Sequence, residues 1–531
     1  MEKGFLSIIL HAHLPFVRHP EHPSFFEENW LFEAMTECYI PLIGMLDRLE
    51  DDRIDYRLTL SLSPPLISML RDELLQSRYL KHLHKLIELA EKEIVRTRKA
   101  PEFNQLARLY RRFYRHTLNV YQSRYQGDLL SAFGKHQALG KLELITTAAT
   151  HGFLPLLSVS EVAVRNQINV GIDTFRSHFG IAPTGFWLPE CGYYPGLESV
   201  LKDAGIQYFF VDSHSLLNAS RPPVSGVYAP LACDNGVAAF ARDPESSEQV
   251  WSSHLGYPGD FDYREYYRDI GFDLDLDIIG PYLPDGQIRA NTGIKYYRVT
   301  GKNQSKQIYN PKAARTKAEL HARDFIAKRR QQIDRLTGRT DRSPLIVAPY
   351  DAELFGHWWF EGPYWLEQVL RIAGKNHIDT VSCGDYLRQF PSPQVATPSA
   401  STWGAQGYSG YWINETNDWI YPFLHQASRQ LEDFVAELKG VSLNALQERA
   451  FNQAVRSLLL AQSSDWPFIM KSGTTVEYAN KRLTDHLARF NYLYDSLRKG
   501  KIDERYLSAL EIMDNIFPNI DFRNYCALKP A

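Results

Sequence analysis

Short apolar segments alternate with helical segments along most of the chain, and this alternation limits the possible folds more than any other feature. The helical segments repeat apolar residues at the helical period, as in residues 30–49, 161–179 and 313–336. Loops with Gly, Pro or polar residues separate the segments. Strands alternating with helices in this way predict a parallel βα barrel or sheet. The predicted strands are residues 4–10, 57–62, 141–147, 185–188, 208–211, 344–350 and 378–382.

One predicted strand leads into the segment FWLPE, residues 186–190, which places Glu190 directly after the strand. Residues 197–205 then have a helical pattern, so Glu190 is predicted to lie on a βα loop. Ligands and catalytic groups of α/β folds gather at this edge. The alternative is a solvated loop glutamate near a helix start, where the helix dipole favours a negative charge.

Histidines and another carboxylate also follow predicted strands. His11 and His13 end the first strand, where alternation points both side chains to the same side. His151 follows residues 141–147, and Asp351 follows residues 344–350, with Glu353 close behind. The histidines have three open interpretations: a metal-binding pair, a pair that contacts sugar or handles protons, and a structural pair bonded to backbone.

The composition is that of a globular protein with more than one domain. The 531 residues exceed one ordinary core, and a net charge of −3 gives no reason to expect nucleic acid or a membrane as partner. No apolar run approaches the roughly 18 residues of a membrane span, and no cleavage site follows the N-terminus. The five cysteines show neither a CxxC pair nor metal spacing. We therefore expect a cytoplasmic protein with reduced thiols.

Changes in pattern predict the domain organisation. Residues 1–390 are predicted to form the catalytic βα domain, with a helical insertion at about residues 66–140 and substrate-covering loops at about residues 231–310. A Pro/Ser-rich linker at 391–401 marks a boundary. Residues 400–531, with long helices at 421–439 and 443–460, are predicted to form an α-helical C-terminal domain that contributes to the site.

The residue types at the strand ends suit the cleavage of a glycosidic bond. Such chemistry needs two carboxylates, and an aromatic share of 13% supplies rings that stack on sugars. The sequence has no Gly-rich phosphate loop and no GxSxG motif. Glycoside chemistry is therefore favoured over metal-dependent hydrolysis, which stays open at this point.

Several motifs together resemble glycoside hydrolase family 57, and within it the 1,4-α-glucan branching enzymes. The family motifs are HAHLPF at 11–16, THG at 150–152, WLPEC at 187–191 and APYDAELFGHW at 348–358. The subgroup is suggested by GYPG at 256–259, YRE at 263–265, Trp403 with Trp412, and SDWPF at 464–468. The resemblance runs in order from about residue 5 to about residue 520.

The resemblance implies a distorted (β/α)7 barrel with a helical insertion, followed by the α-helical C-terminal domain. It also implies a retaining transglycosylase that needs no metal or other cofactor. Glu190 would be the nucleophile, and Asp351 would be the proton donor and later the base. The enzyme would cut an α-1,4-glucan and transfer the segment to a 6-hydroxyl, which forms an α-1,6 branch. Donor and acceptor would both be α-1,4-glucans, and the protein would act as a monomer.

Further roles follow from the same resemblance. His11, His13 and His151 would line the sugar subsite beside Glu190. Tyr257 would lie at the tip of a mobile loop that closes over the site. The remaining substrate-contacting residues would be Arg264, Gly280 and Asp465, with Trp30, Trp403 and Trp412 stacking on glucose rings.

Other activities remain open from the sequence. An α-amylase or a 4-α-glucanotransferase of the same family would share the catalytic motifs. A metal-dependent carbohydrate deacetylase would also use strand-end histidines and aspartates. A glucan-binding protein without catalysis would keep the aromatic residues but would not need the carboxylates.

Overall fold

The structure is a computed structural model that describes residues 4–252, 255–284, 286, 288–301, 305–340 and 342–525. In that part of the chain, strands and helices alternate as the sequence predicts. The strands are β1 (Gly4–Ala12), β2 (Leu58–Leu62), β3 (Leu142–Thr147), β4 (Gly185–Trp187), β5 (Tyr208–Val211), β6 (Leu231–Ala232), β7 (Ala238–Ala241), β8 (Leu345–Asp351), β9 (Ile378–Thr380) and β10 (Gln394–Val395).

Seven of the strands form a curled parallel sheet in the order β8-β1-β2-β3-β4-β5-β7. β6 pairs with β7 in antiparallel fashion, and β10 continues from β6. β9 pairs with the start of β1, on the edge that carries β2 further along. The two ends of the curled sheet meet where the amide of Asp243 donates to the carbonyl of Val347, at 2.8 Å. This arrangement confirms the predicted distorted (β/α)7 barrel.

Large apolar side chains fill the inside of the curled sheet. Phe5 and Ile9 of β1, Trp187 of β4 and Phe240 of β7 belong to one buried cluster with residues of β3, β5 and β8. The aromatic rings meet mostly edge to face, as Tyr208 and Phe240 do at 5.5 Å. The interior of the curled sheet is therefore a packed core.

Most helices connect consecutive strands of the sheet. Ser160 caps helix Glu161–Phe179, because its side chain accepts a hydrogen bond from the amide of Ala163. The α-helices before residue 400 are Glu28–Ala34, Ile40–Asp51, Pro64–Arg71, Glu73–Arg96, Pro101–Asn119, Leu129–Ala138, Leu154–Leu157, Glu161–Phe179, Leu197–Asp203, Ser213–Leu217, Pro244–Trp251, Ile270–Asp273, Leu276–Ile279, Pro311–Leu336, Gly362–Ala373 and Cys383–Gln389.

A helical domain at the C-terminal end packs against the loop after β3. The loop before its third helix reaches this position, because Ser464 donates from its amide to the carbonyl of His151, at 3.1 Å. None of the helices in the described ranges is long and apolar enough to cross a membrane. The helices of this domain are Ile420–Glu437, Ala445–Ala461, Asp465–Ser472, Val476–Lys499 and Glu504–Met513.

Candidate active site

A cleft of about 850 Å³ opens at the carboxyl ends of the strands and extends under the C-terminal helical domain. Both predicted catalytic carboxylates line it, as do most of the residues predicted to contact sugar. The predicted residues in its wall are His11, His13, Trp30, His151, Glu190, Asp351, Trp403, Trp412 and Asp465. Arg264, Gly280 and Tyr257 are not among the described residues that line it.

A tight turn presents Glu190 to the cleft. The backbone of Glu190 and of Cys191 lies in the left-handed region, with φ of 60° and 50°, which is uncommon for residues other than glycine. The indole N–H of Trp403 donates to Oε2 of Glu190 at 2.7 Å, and the amide of Trp403 donates to its carbonyl at 3.0 Å. Strain of this kind persists where the surroundings fix it, as at functional sites.

The cleft changes the acidity of both carboxyl groups. Burial is the largest cause and raises the pKa of Glu190 to about 7; the bond from Trp403 lowers this pKa, and the charge of Asp351 raises it. Burial and then the charge of Glu353 raise the pKa of Asp351 to about 8. Asp351 therefore holds its proton at a pH where Glu190 has begun to ionise. A proton donor beside an anionic carboxylate requires this order of pKa values.

The three predicted histidines form one stack beside Glu190. The ring centroids of His13 and His151 are 3.9 Å apart, and Nε2 of His11 is 2.9 Å from Nε2 of His151. Burial lowers the pKa values of His11 and His151 well below the ordinary value, so both rings are neutral. Within the described residues, no group of three or more His, Cys, Asp or Glu side chains has a geometry that would hold a metal ion.

The C-terminal helical domain supplies one wall of the cleft. Asp465, at the start of helix Asp465–Ser472, accepts a hydrogen bond from Nε2 of His13 at 3.1 Å. Trp412 stacks on Phe153 with centroids 4.5 Å apart and is only 1% exposed, so little of its ring is available to a ligand. The domain thus contributes both a carboxylate and aromatic surface to the site.

Arg264 lies behind the cleft wall. It is buried and forms an ion pair with Glu37, at 3.3 Å, and its guanidinium covers the ring of Phe360. Glu37 in turn accepts from Nδ1 of His357, which lines the cleft. Arg264 therefore supports the wall in this structure and does not reach into the cleft.

Gly280 and Tyr257 also lie outside the wall. Gly280 is buried in the short turn Gly280–Tyr282, next to the carbonyl of Gly286. The hydroxyl of Tyr257 donates to Asp324 at 2.7 Å, and its ring stacks on His321. Tyr257 is thus fixed to helix Pro311–Leu336, and a gating role requires that it leave this position.

The sequence of this chain matches two models of known protein families. The sequence model described as glycosyl hydrolase family 57 matches residues 7–398, which is most of the chain. The chain belongs to glycosyl hydrolase family 57. A second model, described as the C-terminal domain of 1,4-alpha-glucan branching enzymes, matches residues 423–525.

Relatives that match nearly the whole of this chain support its membership of the family. The chain is 32% identical to 1,4-alpha-glucan branching enzyme TK1436 of Thermococcus kodakarensis, over 99% of this chain and 79% of that protein. The alpha-amylase AmyC from Thermotoga maritima has 46% identity and a TM-score of 0.93, over 100% of both chains. The GH57-type branching enzyme from Pyrococcus horikoshii has 32% identity and a TM-score of 0.89, over 100% of this chain and 98% of that chain. The resemblance inferred from the motifs is confirmed, and the protein is an enzyme with a glycoside-hydrolase-type mechanism.

The sequence alone did not reveal several residues of this family 57 cleft. Arg242 lines the cleft directly after β7, and its charge lowers the pKa of Asp351. Its position after a strand was the available signal, but β7 itself was not predicted. Other lining residues without a predicted role are Glu33, Trp251, Tyr266, His357, Trp358, Tyr411 and Phe468.

Replacing Trp403 by phenylalanine is expected to raise the pKa of Glu190. The substitution removes the N–H that stabilises the carboxylate, so the acid limb of the kcat/KM profile moves to higher pH. At neutral pH we expect kcat/KM to fall about ten-fold, the effect of one hydrogen bond. Trp412→Phe is a matched control, because the indole N–H of Trp412 has no partner within the described residues. A pH–rate profile that moves equally in both variants contradicts the prediction.

Proposed function

We propose that this protein is a retaining 1,4-α-glucan branching enzyme that serves the synthesis of a glycogen- or starch-type polymer. The observation that supports this proposal best is the match of residues 423–525 to the C-terminal domain of branching enzymes. That domain does more than flank the barrel, because the loop at its third helix brings Asp465 into contact with His13 in the cleft. The cleft and the domain are therefore one functional unit.

The first step of the proposed reaction cuts an α-1,4 bond. The carboxylate of Glu190 attacks the anomeric carbon while Asp351 gives its proton to the departing 4-oxygen. The bond from carbon to the leaving oxygen breaks, and a glucosyl ester to Glu190 forms. The order of the two pKa values, about 7 and about 8, supports these roles.

The second step transfers the bound segment to another chain. The 6-hydroxyl of an acceptor attacks the anomeric carbon, Asp351 takes the hydroxyl proton, and the ester to Glu190 breaks. Two inversions at the same carbon leave the α configuration. Water competes with the acceptor, so aromatic surface that binds a second glucan and displaces water favours transfer. Trp30, Tyr411 and Phe468 supply such surface in the cleft.

Incubation of the protein with unbranched amylose tests the proposal. We expect new α-1,6 linkages in the proton NMR spectrum, with few new reducing ends. Glu190→Gln and a heat-inactivated sample serve as controls for spontaneous change. Reducing ends that rise without α-1,6 linkages would assign the protein to hydrolysis.

A second candidate function is α-amylase activity. It is supported by the 46% identity to a protein described as an alpha-amylase, which exceeds the 32% identity to each of two branching enzymes. Both activities share the first step and differ in whether water or a sugar hydroxyl resolves the ester. The same amylose experiment separates them, because it measures both products in one sample.

Tyr257→Ala is expected to lower the ratio of transfer to hydrolysis if the loop closes over the bound segment. The physical reason is that loss of a ring over the ester admits water. The bond from Tyr257 to Asp324 holds the loop away from the cleft in this structure, so closure must break it. Asp324→Asn weakens this hold without removing the ring and is expected to keep the transfer ratio. The ratio is read from α-1,6 linkages and reducing ends, and an unchanged ratio in Tyr257→Ala contradicts gating.

A further inference from the structure

A continuous chain of hydrogen bonds runs behind the proposed nucleophile, from Ser61 to Ser464. Ser61 on β2 is the register partner of His11 on β1, and its Oγ lies 3.1 Å from Nδ1 of His11. Nε2 of His11 lies 2.9 Å from Nε2 of His151, and Nδ1 of His151 lies 2.9 Å from Oγ of Ser464. Both rings and both serines are buried.

Such a chain has only two arrangements of its protons. Both rings are neutral, since burial lowers their pKa values, so each carries one N–H. The contact between the two Nε2 atoms needs one proton and one lone pair. Either Ser61 donates to His11 and His11 donates to His151, or every bond runs the other way. The first arrangement leaves the proton of His151 on Nδ1, and the second leaves a lone pair there.

The charge on Glu190 decides between the two arrangements. Nδ1 of His151 lies 3.9 Å from Oε1 of Glu190. An N–H at that position attracts the carboxylate, whereas a lone pair repels it. The other carboxylate oxygen, Oε2, already accepts from the indole of Trp403. An ionised Glu190 therefore favours the arrangement in which Ser61 is the donor at the start of the chain.

We propose that Ser61 is a positioning residue: its hydroxyl donates to Nδ1 of His11 and so supplies the donor that the arrangement favoured by ionised Glu190 needs at its start. This keeps a proton, and not a lone pair, on Nδ1 of His151, which donates to Ser464 and lies 3.9 Å from Oε1 of Glu190. This role rests on the proposed function of Glu190 as nucleophile. Ser61 itself does not line the cleft. Within the described residues, His11 is the only side-chain or backbone partner of its Oγ.

The proton on Nδ1 of His151 affects the pKa of Glu190 and therefore the pH dependence of activity. Without a proton on Nδ1 of His151, the carboxylate of Glu190 loses a stabilising electrostatic interaction, so the pKa of Glu190 rises. Because Glu190 acts in its ionised form, the acid limb of the kcat/KM profile then moves to higher pH. The substitution leaves the other charged or titratable groups around the two carboxylates unchanged. These groups are Asp351 on β8, Arg242 after β7, Asp465 on the C-terminal helix and His13 after β1.

Ser61→Thr and Ser61→Val provide a matched pair, since both side chains have the same shape and both suit a strand. Only threonine keeps the hydroxyl. We expect Ser61→Val to have a kcat about ten-fold below that of Ser61→Thr, with the two KM values within about two-fold. The acid limb should lie at higher pH in Ser61→Val alone. Equal kcat values and equal limbs in the two variants overturn the proposal, because any effect of size is common to both.

The tautomers can also be observed without measuring activity. In protein labelled with ¹⁵N-histidine, the shifts of neutral ring nitrogens separate N–H from lone pair. We expect Nδ1 of His11 to be unprotonated and Nδ1 of His151 to be protonated in the unmodified protein and in Ser61→Thr, but not in Ser61→Val. A protonated Nδ1 on His11 of the unmodified protein overturns the assignment. If Glu190 were not the nucleophile, the kinetic difference would be lost while this spectrum stayed as expected, which distinguishes the two failures.

Discussion

Glu190→Ala is expected to lower turnover of amylose by roughly four to six orders of magnitude while leaving the fold intact. Without the carboxylate no glucosyl ester forms, and the remaining groups of the cleft only bind the chain. Removal of a buried carboxyl group whose pKa is raised to about 7 relieves a burial cost, so the melting temperature should not fall. Turnover is measured by the loss of iodine-stained amylose, and the fold by the circular dichroism spectrum.

Azide provides a sharper test of the same residue. In Glu190→Ala a small anion can occupy the space of the carboxylate and attack the anomeric carbon directly. Asp351 still gives its proton to the leaving oxygen, and a carbon–nitrogen bond forms as the carbon–oxygen bond breaks. A single inversion gives a β-glycosyl azide. Recovery of turnover with azide and a β product identifies Glu190 as the nucleophile.

Glu161→Ala is a suitable control for Glu190→Ala. Its carboxylate is 65% exposed and pairs with Arg165 on the same helix, and it is not among the described residues that line the cleft, so activity should be retained. An active Glu190→Ala variant without azide, or an azide product of the α configuration, contradicts the assignment of Glu190.

The sequence predicted the sheet because period and loop chemistry act locally. The predicted strand around Phe186 ends beside Glu190 as expected, and Asp351 ends β8. β7 was not predicted, because Ala238–Ala241 holds three alanines and one phenylalanine and lacks the β-branched residues that favour strands. Its burial on the inside of the barrel, and not its intrinsic propensity, determines its conformation.

Contacts between distant parts of the chain explain what the sequence did not predict. The segment predicted as one helix over residues 30–49 contains a π-helical turn at Met35–Tyr39. That turn faces the loop after β8, where the hydroxyl of Tyr39 donates to Glu353 at 2.5 Å. Arg264 was predicted to contact substrate, but its guanidinium forms an ion pair with Glu37, which lies in the π-helical turn Met35–Tyr39. Pairings over such separations depend on tertiary packing and leave no local pattern.

The histidines illustrate a limit of a different kind. Strand alternation placed His11 and His13 on one side, and the structure agrees, with ring centroids 5.9 Å apart. The spacing of the two residues could not separate a metal-binding pair from a pair that contacts sugar or handles protons, or from a structural pair bonded to backbone. In the structure, Nε2 of His11 lies 2.9 Å from Nε2 of His151, on the loop after β3 and 140 positions away, and such a partner leaves no local pattern in the sequence.

Asp351→Asn is expected to lower turnover of amylose by roughly two to four orders of magnitude, the range for loss of a general acid. The leaving 4-oxygen of a glucan needs a proton, whereas a fluoride leaving group does not. An α-maltosyl fluoride donor should therefore form the ester to Glu190 in this variant at a rate close to that of the unmodified enzyme. With azide, the ester is opened by a second inversion, so the product is an α-glycosyl azide.

The pH profile provides a second measurement on Asp351. Asp351 acts as a proton donor, and burial raises its pKa to about 8, so the unmodified enzyme should lose activity on amylose as the pH rises through about 8. Glu190 acts in its ionised form, which sets the acid limb near its own pKa of about 7. With the fluoride donor, Asp351→Asn should lack the basic limb and keep the acid limb. Asp495→Asn, an exposed carboxylate paired with Lys499, is the control expected to keep both limbs. A basic limb that survives in Asp351→Asn, or equal losses on amylose and the fluoride donor, would assign proton donation to another group in the cleft.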